Sequence, residues 1–270
     1  MFTVPERLNL QDRLVADART DARIAAAALV GSAALDAEDE WSDIDLAPRL
    51  AEGLEPDAVV DAWTERMYAE HQAMHHLDVW ANGTLFRVFL LRSSLQVDLS
   101  FWPSPRFAAN GPAFRLLFGQ ANEPVPVTKA STNSMIGMGW LYALHGRSSI
   151  ARARRWQAAY MIDGIREQVT ALACRRHGLP SYEGRGVDDL PEAVLNLLAG
   201  TLVAGLDDVQ LSSAFQAAVQ ALMREAELAD PDLAGRLAAP AAVLIRTART
   251  CVRRTQPGTD SAQAATERPR

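Results

Sequence analysis

The sequence predicts an α+β protein: a mixed β-sheet over residues 1–128, a helical bundle over residues 129–255, and a tail, 256–270, without ordered structure. Three observations lead there. Asn82-Gly83, the pair favoured in two-residue hairpin turns, separates two β-type runs. Residues 95–101 alternate apolar and polar side chains with the period of a strand. Beyond residue 128 the apolar positions recur at helical spacing almost to residue 254.

Taken in order, residues 6–22 read as a helix, with Leu8, Leu14 and Val15 among charged neighbours. Residues 24–30 form a first strand and 43–47 a second. Pro56 opens a helix over 56–70 that carries Val59, Val60, Trp63 and Met67 on one side. His71, His75 and His76 read as solvated groups at the end of that helix. No cysteine or further histidine lies near to complete the three protein ligands that Zn²⁺ wants. The hairpin 77–80 and 85–91 follows, then the strand 95–101, with Leu95, Val97, Leu99 and Phe101 on one face and Gln96, Asp98 and Ser100 on the other. Residues 103–126, rich in Pro, Gly and Asn, read as loop and linker, with the domain boundary near Thr128. Helices are expected over 132–146, 150–177, 192–204, 207–229 and 232–254, the last bent at Pro240. Asp188 or Asp189 is positioned to cap the helix starting at Glu192.

Composition sets outer bounds. A chain of 270 residues with 49% hydrophobic and 22% charged side chains suits an ordinary globular protein of one large or two modest domains. No run is apolar enough to span a membrane, and residues 1–10 lack the apolar core of a secretion signal. With only Cys174 and Cys251, far apart, the expectation is a cytoplasmic protein with reduced thiols. Residues 1–128 carry 10 basic and 19 acidic side chains, whereas residues 129–255 carry 15 and 12. A front half at −9 is a poor partner for nucleic acid, whose binding depends on phosphate neutralisation, and attracts Mg²⁺ and cationic acceptors instead.

The chemistry concentrates in Val30-Gly31-Ser32-Ala33-Ala34-Leu35-Asp36-Ala37-Glu38-Asp39-Glu40-Trp41-Ser42-Asp43-Ile44-Asp45-Leu46. On a strand, Asp43 and Asp45 point the same way while Ile44 and Leu46 face the core. Parallel carboxylates repel unless a cation lies between them, and hard oxygen ligands favour Mg²⁺. The Gly31-Ser32 turn offers backbone N–H groups and a hydroxyl to a phosphate that the metal bridges. If strand 95–101 lies beside the strand of Asp43 and Asp45, Asp98 completes a carboxylate triad.

Gly-Ser, a ten-residue loop and Asp-x-Asp resemble the signature of the nucleotidyltransferase superfamily related to DNA polymerase beta, and within it the small antibiotic nucleotidyltransferases that modify aminoglycosides and lincosamides. One departure stands out: the family usually has glycine where Asp36 stands and an arginine near the place of Leu35. The resemblance implies metal binding and catalysis by Asp43, Asp45 and Asp98, with the third acid acting as general base in some members. It implies transfer of a nucleoside monophosphate, AMP from ATP with Mg²⁺, to a hydroxyl of a small molecule, an aminoglycoside being favoured. Gly31 and Ser32 are nucleotide-binding candidates. On helix 150–177, Arg152, Arg155, Asp163 and Arg166 share a face, and a guanidinium fork matches phosphate oxygens. Arg155 and Arg166 are therefore further nucleotide candidates, the alternative being a salt-bridge set with Asp163. Asp163, Glu183 and Arg185 are candidate acceptor contacts, the latter two in a glycine-flanked loop. Adenylylation of a protein side chain and a non-catalytic nucleotide-binding regulator remain open, as does a homodimer.

Overall fold

The computed structural model describes residues 2–54, 56–81, 83–124 and 130–255, with side chains through 248. Asn82, the predicted boundary at Thr128 and the tail 256–270 lie outside the described residues. The chain separates into two compact units, residues 1–128 and 129–270.

In the first unit, α1 (Val4–Thr20) leads to β1 (Ile24–Val30), a single-turn α2 (Gly31–Ala34), β2 (Ile44–Leu50), α3 (Pro56–Glu70), β3 (Ala73–Ala81), β4 (Thr84–Leu91), β5 (Gln96–Phe101) and β6 (Phe114–Phe118). The strands form one mixed sheet in the order β3-β4-β5-β2-β1-β6. Its β2–β5 pair is parallel and every other pairing is antiparallel. One face packs on α1 and α3, where Leu14, Trp63 and Met67 meet Leu29, Ile44, Leu46, Val97 and Leu99. On the other face Phe107 lies over Ala26, Ala28 and Ala47. β1 is covered on both sides, so it reads as the unbroken apolar run Ile24-Ala-Ala-Ala-Ala-Leu-Val30 instead of alternating. The alanines leave room for the phenylalanine ring.

In the first unit, two expectations need correction. The stretch 103–126 is not all loop: it holds a 3-10 turn, Ser104–Arg106, and β6, an edge strand paired with β1. Its half-buried Phe114-Arg-Leu-Leu-Phe118 run is short and sits beside Gly111-Pro112, so local composition hides a pairing made across more than 80 residues. His75 and His76 do not end a helix. They lie in β3 opposite Leu90 and Phe89.

The second unit is helical: α4 (Thr132–Ala151), α5 (Arg155–Arg176), α6 (Glu192–Ala199), α7 (Asp208–Ala229) and α8 (Pro231–Thr255). Ile136, Ile162, Ile165, Val169, Phe215, Ala218 and Leu222 form its interior. The α4–α5 break falls at Arg152–Arg154, where Ala153 takes φ +52°. Arg154 N–H returns to Ser149 O and Ala153 N–H to Ile150 O, satisfying the carbonyls at the end of α4. Arg152 is therefore the C-cap of α4, not a member of the α5 face. Pro240 lies within α8, which continues through it. Neither Asp188 nor Asp189 caps α6, whose N-cap position is Pro191 and has no side-chain bond. Asp207 caps α7, accepting from Val209 N–H and Gln210 N–H.

Candidate active site

Asp45 and Asp98 are direct register partners on the parallel strands β2 and β5. Residues paired in this way project from the same face, with strands about 4.8 Å apart. Their neighbours Ile44, Leu46, Val97 and Leu99 are at most 1% exposed on the core side, so both carboxylates point to the opposite face. Asp43 precedes β2, where its Oδ2 accepts from Gln96 Nε2 at 3.2 Å. Burial, and then the charge of Asp43, push the Asp98 carboxyl up to about 6. Asp98 Oδ1 is buried and makes no hydrogen bond among the described residues.

The Gly-Ser turn lies directly against this group. Gly31 has φ +64°, and a Cβ there would fall 2.2 Å from Asp45 Oδ2. Both the backbone conformation and the close approach require glycine. Ser32 O then accepts from Leu35 N–H and Ala37 N–H, each at 3.1 Å, curling the chain into the loop that returns to Asp43. Asp36 in that loop takes φ +53°, a left-handed conformation that glycine adopts without strain. Its carboxylate is paired with Arg115 of β6, an arginine brought to the loop from elsewhere in the chain. Asp39 Oδ1 accepts from Trp41 N–H and Ser42 Oγ, each at 2.9 Å, closing a turn immediately before Asp43.

Among the described residues, no group of three His, Cys, Asp or Glu side chains is placed so that it could hold a metal ion. The donor chemistry nonetheless fits a hard divalent cation. Three carboxylates occupy the ends of two adjacent strands, one oxygen is buried without a partner, and the charged form of Asp98 is disfavoured unless a cation offsets it. The histidines of β3 are engaged otherwise: His76 Nδ1 lies 2.9 Å from Tyr68 Oη and its ring packs near His75.

The remaining candidates lie in the helical unit. Arg166 Nη1 is 2.8 Å from Asp163 Oδ1, one turn away on α5. Arg155, at the start of α5, faces Asp208 of α7 at 3.4 Å and is half exposed. Arg155 and Arg166 are thus three turns apart, about 16 Å along the axis, each beside its own carboxylate. Glu183, at φ +50°, faces Arg185 at 3.5 Å. Asp163, Arg166, Glu167, Glu183 and Asp188 line a cavity of about 900 Å³ together with Tyr182, Thr170 and Leu198. Arg185 is outside that lining. Sequence reasoning missed Glu167 and the carboxylate contact of Gln96, although Gln96 was already on the Asp98 face by alternation.

No family model and no curated protein matches this chain. Among solved structures, it is similar to an aminoglycoside 6-adenyltransferase from Bacillus subtilis, with 14% identity over 86% of this chain and 96% of that one, at a TM-score of 0.36. A likeness of that size carries no inference about activity. No helix of the described residues is long and apolar enough to cross a membrane.

Proposed function

We propose that this protein transfers a nucleoside monophosphate, AMP from ATP, to a hydroxyl of a small polycationic acceptor of the aminoglycoside type. The observation that carries the reading is the pairing of Asp45 with Asp98 beside a Gly-Ser turn packed on the Asp45 carboxylate. Gly31 and Ser32 bind triphosphate oxygens through backbone N–H groups and the serine hydroxyl. Asp43, Asp45 and Asp98 are the residues to hold Mg²⁺. The bound ion supplies charge neutralisation for the triphosphate and its departing pyrophosphate. Asp98 receives the acceptor's proton as the hydroxyl oxygen bonds to the α-phosphorus and the bond to the pyrophosphate oxygen breaks. In the helical unit, the cavity lined by Asp163, Glu167, Glu183 and Asp188 supports a cationic acceptor.

Calorimetric titration of each nucleoside triphosphate with Mg²⁺ into wild type and Asp45→Asn, followed by a pyrophosphate-release screen, tests the reading. The screen covers aminoglycosides, lincosamides and candidate proteins. Wild type should bind one nucleotide, Asp45→Asn should lose it, and an aminoglycoside should trigger release. Release accompanied by labelling of a protein favours protein adenylylation. Nucleotide binding that survives Asp45→Asn without any release leaves a non-catalytic regulator.

A further inference from the structure

The loop between Ser32 and Asp43 is held from outside by a residue with no part in the chemistry above. Arg7 closes the first turn of α1, where the helix dipole disfavours a cation, and only 1% of it is exposed. Arginine is almost never buried so completely unless it is paired. Its partner is Glu38, whose carboxylate takes Nη1, while Nη2 reaches Asp39 O at 3.5 Å. Asp39 in turn organises the turn through Trp41 and Ser42 that delivers Asp43 to the start of β2. One guanidinium thus grips two consecutive loop residues, three and four positions before Asp43's own neighbour Ser42.

We propose that Arg7 and Glu38 form a positioning clamp that fixes the 35–42 loop, and through it the placement of Asp43 relative to Ser32, for binding of the divalent cation and nucleotide. Neither residue touches the reacting atoms. α1 thereby becomes part of the binding apparatus. This inference rests on the proposed nucleotide-binding role of the site, and its test separates the two.

Removing Arg7 alone strands the half-buried Glu38 carboxylate and risks misfolding. The informative variant is the double substitution Arg7→Met with Glu38→Met, which replaces the pair by apolar groups of similar length. Two measurements are made on the full chain: amide hydrogen exchange across residues 35–43, and calorimetric titration of Mn²⁺ with and without ATP. The double variant should keep the wild-type Tm and lose protection at the Ala37, Asp39 and Trp41 amides. Its Mn²⁺ affinity should weaken on the order of tenfold, the scale seen when supports of metal ligands are removed. Arg7→Lys, which keeps the charge without the two-pronged contact, should fall between. Unchanged exchange at those amides in the folded double variant overturns the clamp, as does exchange that rises with wild-type Mn²⁺ and ATP affinity. If wild type binds neither Mn²⁺ nor nucleotide, the proposed function fails and so does the clamp's link to binding, while exchange alone still reports whether Arg7 fixes the loop.

Discussion

Asp98 shows how a single carboxyl can weaken the fold that holds it. Its folded value, about 6, lies above the ordinary carboxylate range because burial and Asp43 disfavour the charge. For an acid raised in this direction, folding is favoured by the protonated form. The penalty is absent below about pH 4, grows as pH rises through about 6, and is complete above it. Asp98→Asn should therefore stabilise the chain by roughly 2 kcal/mol at pH 7.5, after discounting for the part of the side chain that solvent reaches, and by almost nothing at about pH 3. Urea denaturation at the two pH values reads the difference. The same variant should lose transfer activity, and Mg²⁺ should raise the Tm of wild type but not of the variant. Gly31 presents the opposite case. Gly31→Ala forces a methyl group toward Asp45 Oδ2 on a backbone at φ +64°. It should cost about 1–2 kcal/mol in stability from the backbone conformation alone and more in Mg²⁺-dependent nucleotide affinity, as differential scanning fluorimetry and calorimetry would show.

At the scale of elements, the turn between α1 and β1 is fastened to α3 by one acid. Asp21 receives Arg23 Nε at 2.9 Å and Nη2 at 2.8 Å, and its Oδ2 also accepts from the buried Trp63 Nε1 at 3.0 Å. The Arg23 contact foremost lowers the carboxyl to about 2. A depressed acid stabilises above its unfolded value and loses that contribution as pH falls toward 2. Asp21→Asn should cost about 2 kcal/mol at pH 7, and the two proteins should converge near pH 2 in denaturant titrations. Legibility in the sequence follows the same division between local and distant causes. Gly31-Ser32 and Asp43-x-Asp45 are legible because one turn and one strand carry them, and Asp98 because strand alternation fixes its face. The pairing of β6 with β1 was not, since the edge strand's partner is remote and its flanks are rich in Gly and Pro. Nor was the break at Ala153, a non-glycine residue in the left-handed region that no composition rule flags. For Arg155 a phosphate contact and a salt bridge were both open, because nothing local reveals Asp208, 53 positions away.

Across the whole molecule, charge decides where the proposed polycationic acceptor would go. Net charge alone sends it to residues 1–128, at 10 basic and 19 acidic side chains, and away from the helical unit. Screening argues otherwise. At physiological ionic strength the Debye length is about 8 Å, so an exposed charge beyond that distance contributes little. Local grouping then outweighs the unit's total: Asp163, Glu167, Glu183 and Asp188 share one cavity in the helical unit, against Arg166 in the same lining and Arg185 at 3.5 Å from Glu183. Each unit has an interior of its own, so the two halves can be compared separately. Residues 1–128 and 129–255, produced as separate polypeptides and checked by circular dichroism, should divide the ligands: Mn²⁺ and ATP to the first, kanamycin to the second. Kanamycin affinity for the helical piece should fall about tenfold on substituting Glu183→Gln with Asp188→Asn, and should weaken further between about 0.05 M and about 0.3 M salt. Calorimetry that finds kanamycin on the sheet piece instead would place the acceptor beside the carboxylates of β2 and β5, with net charge rather than the cavity choosing the substrate.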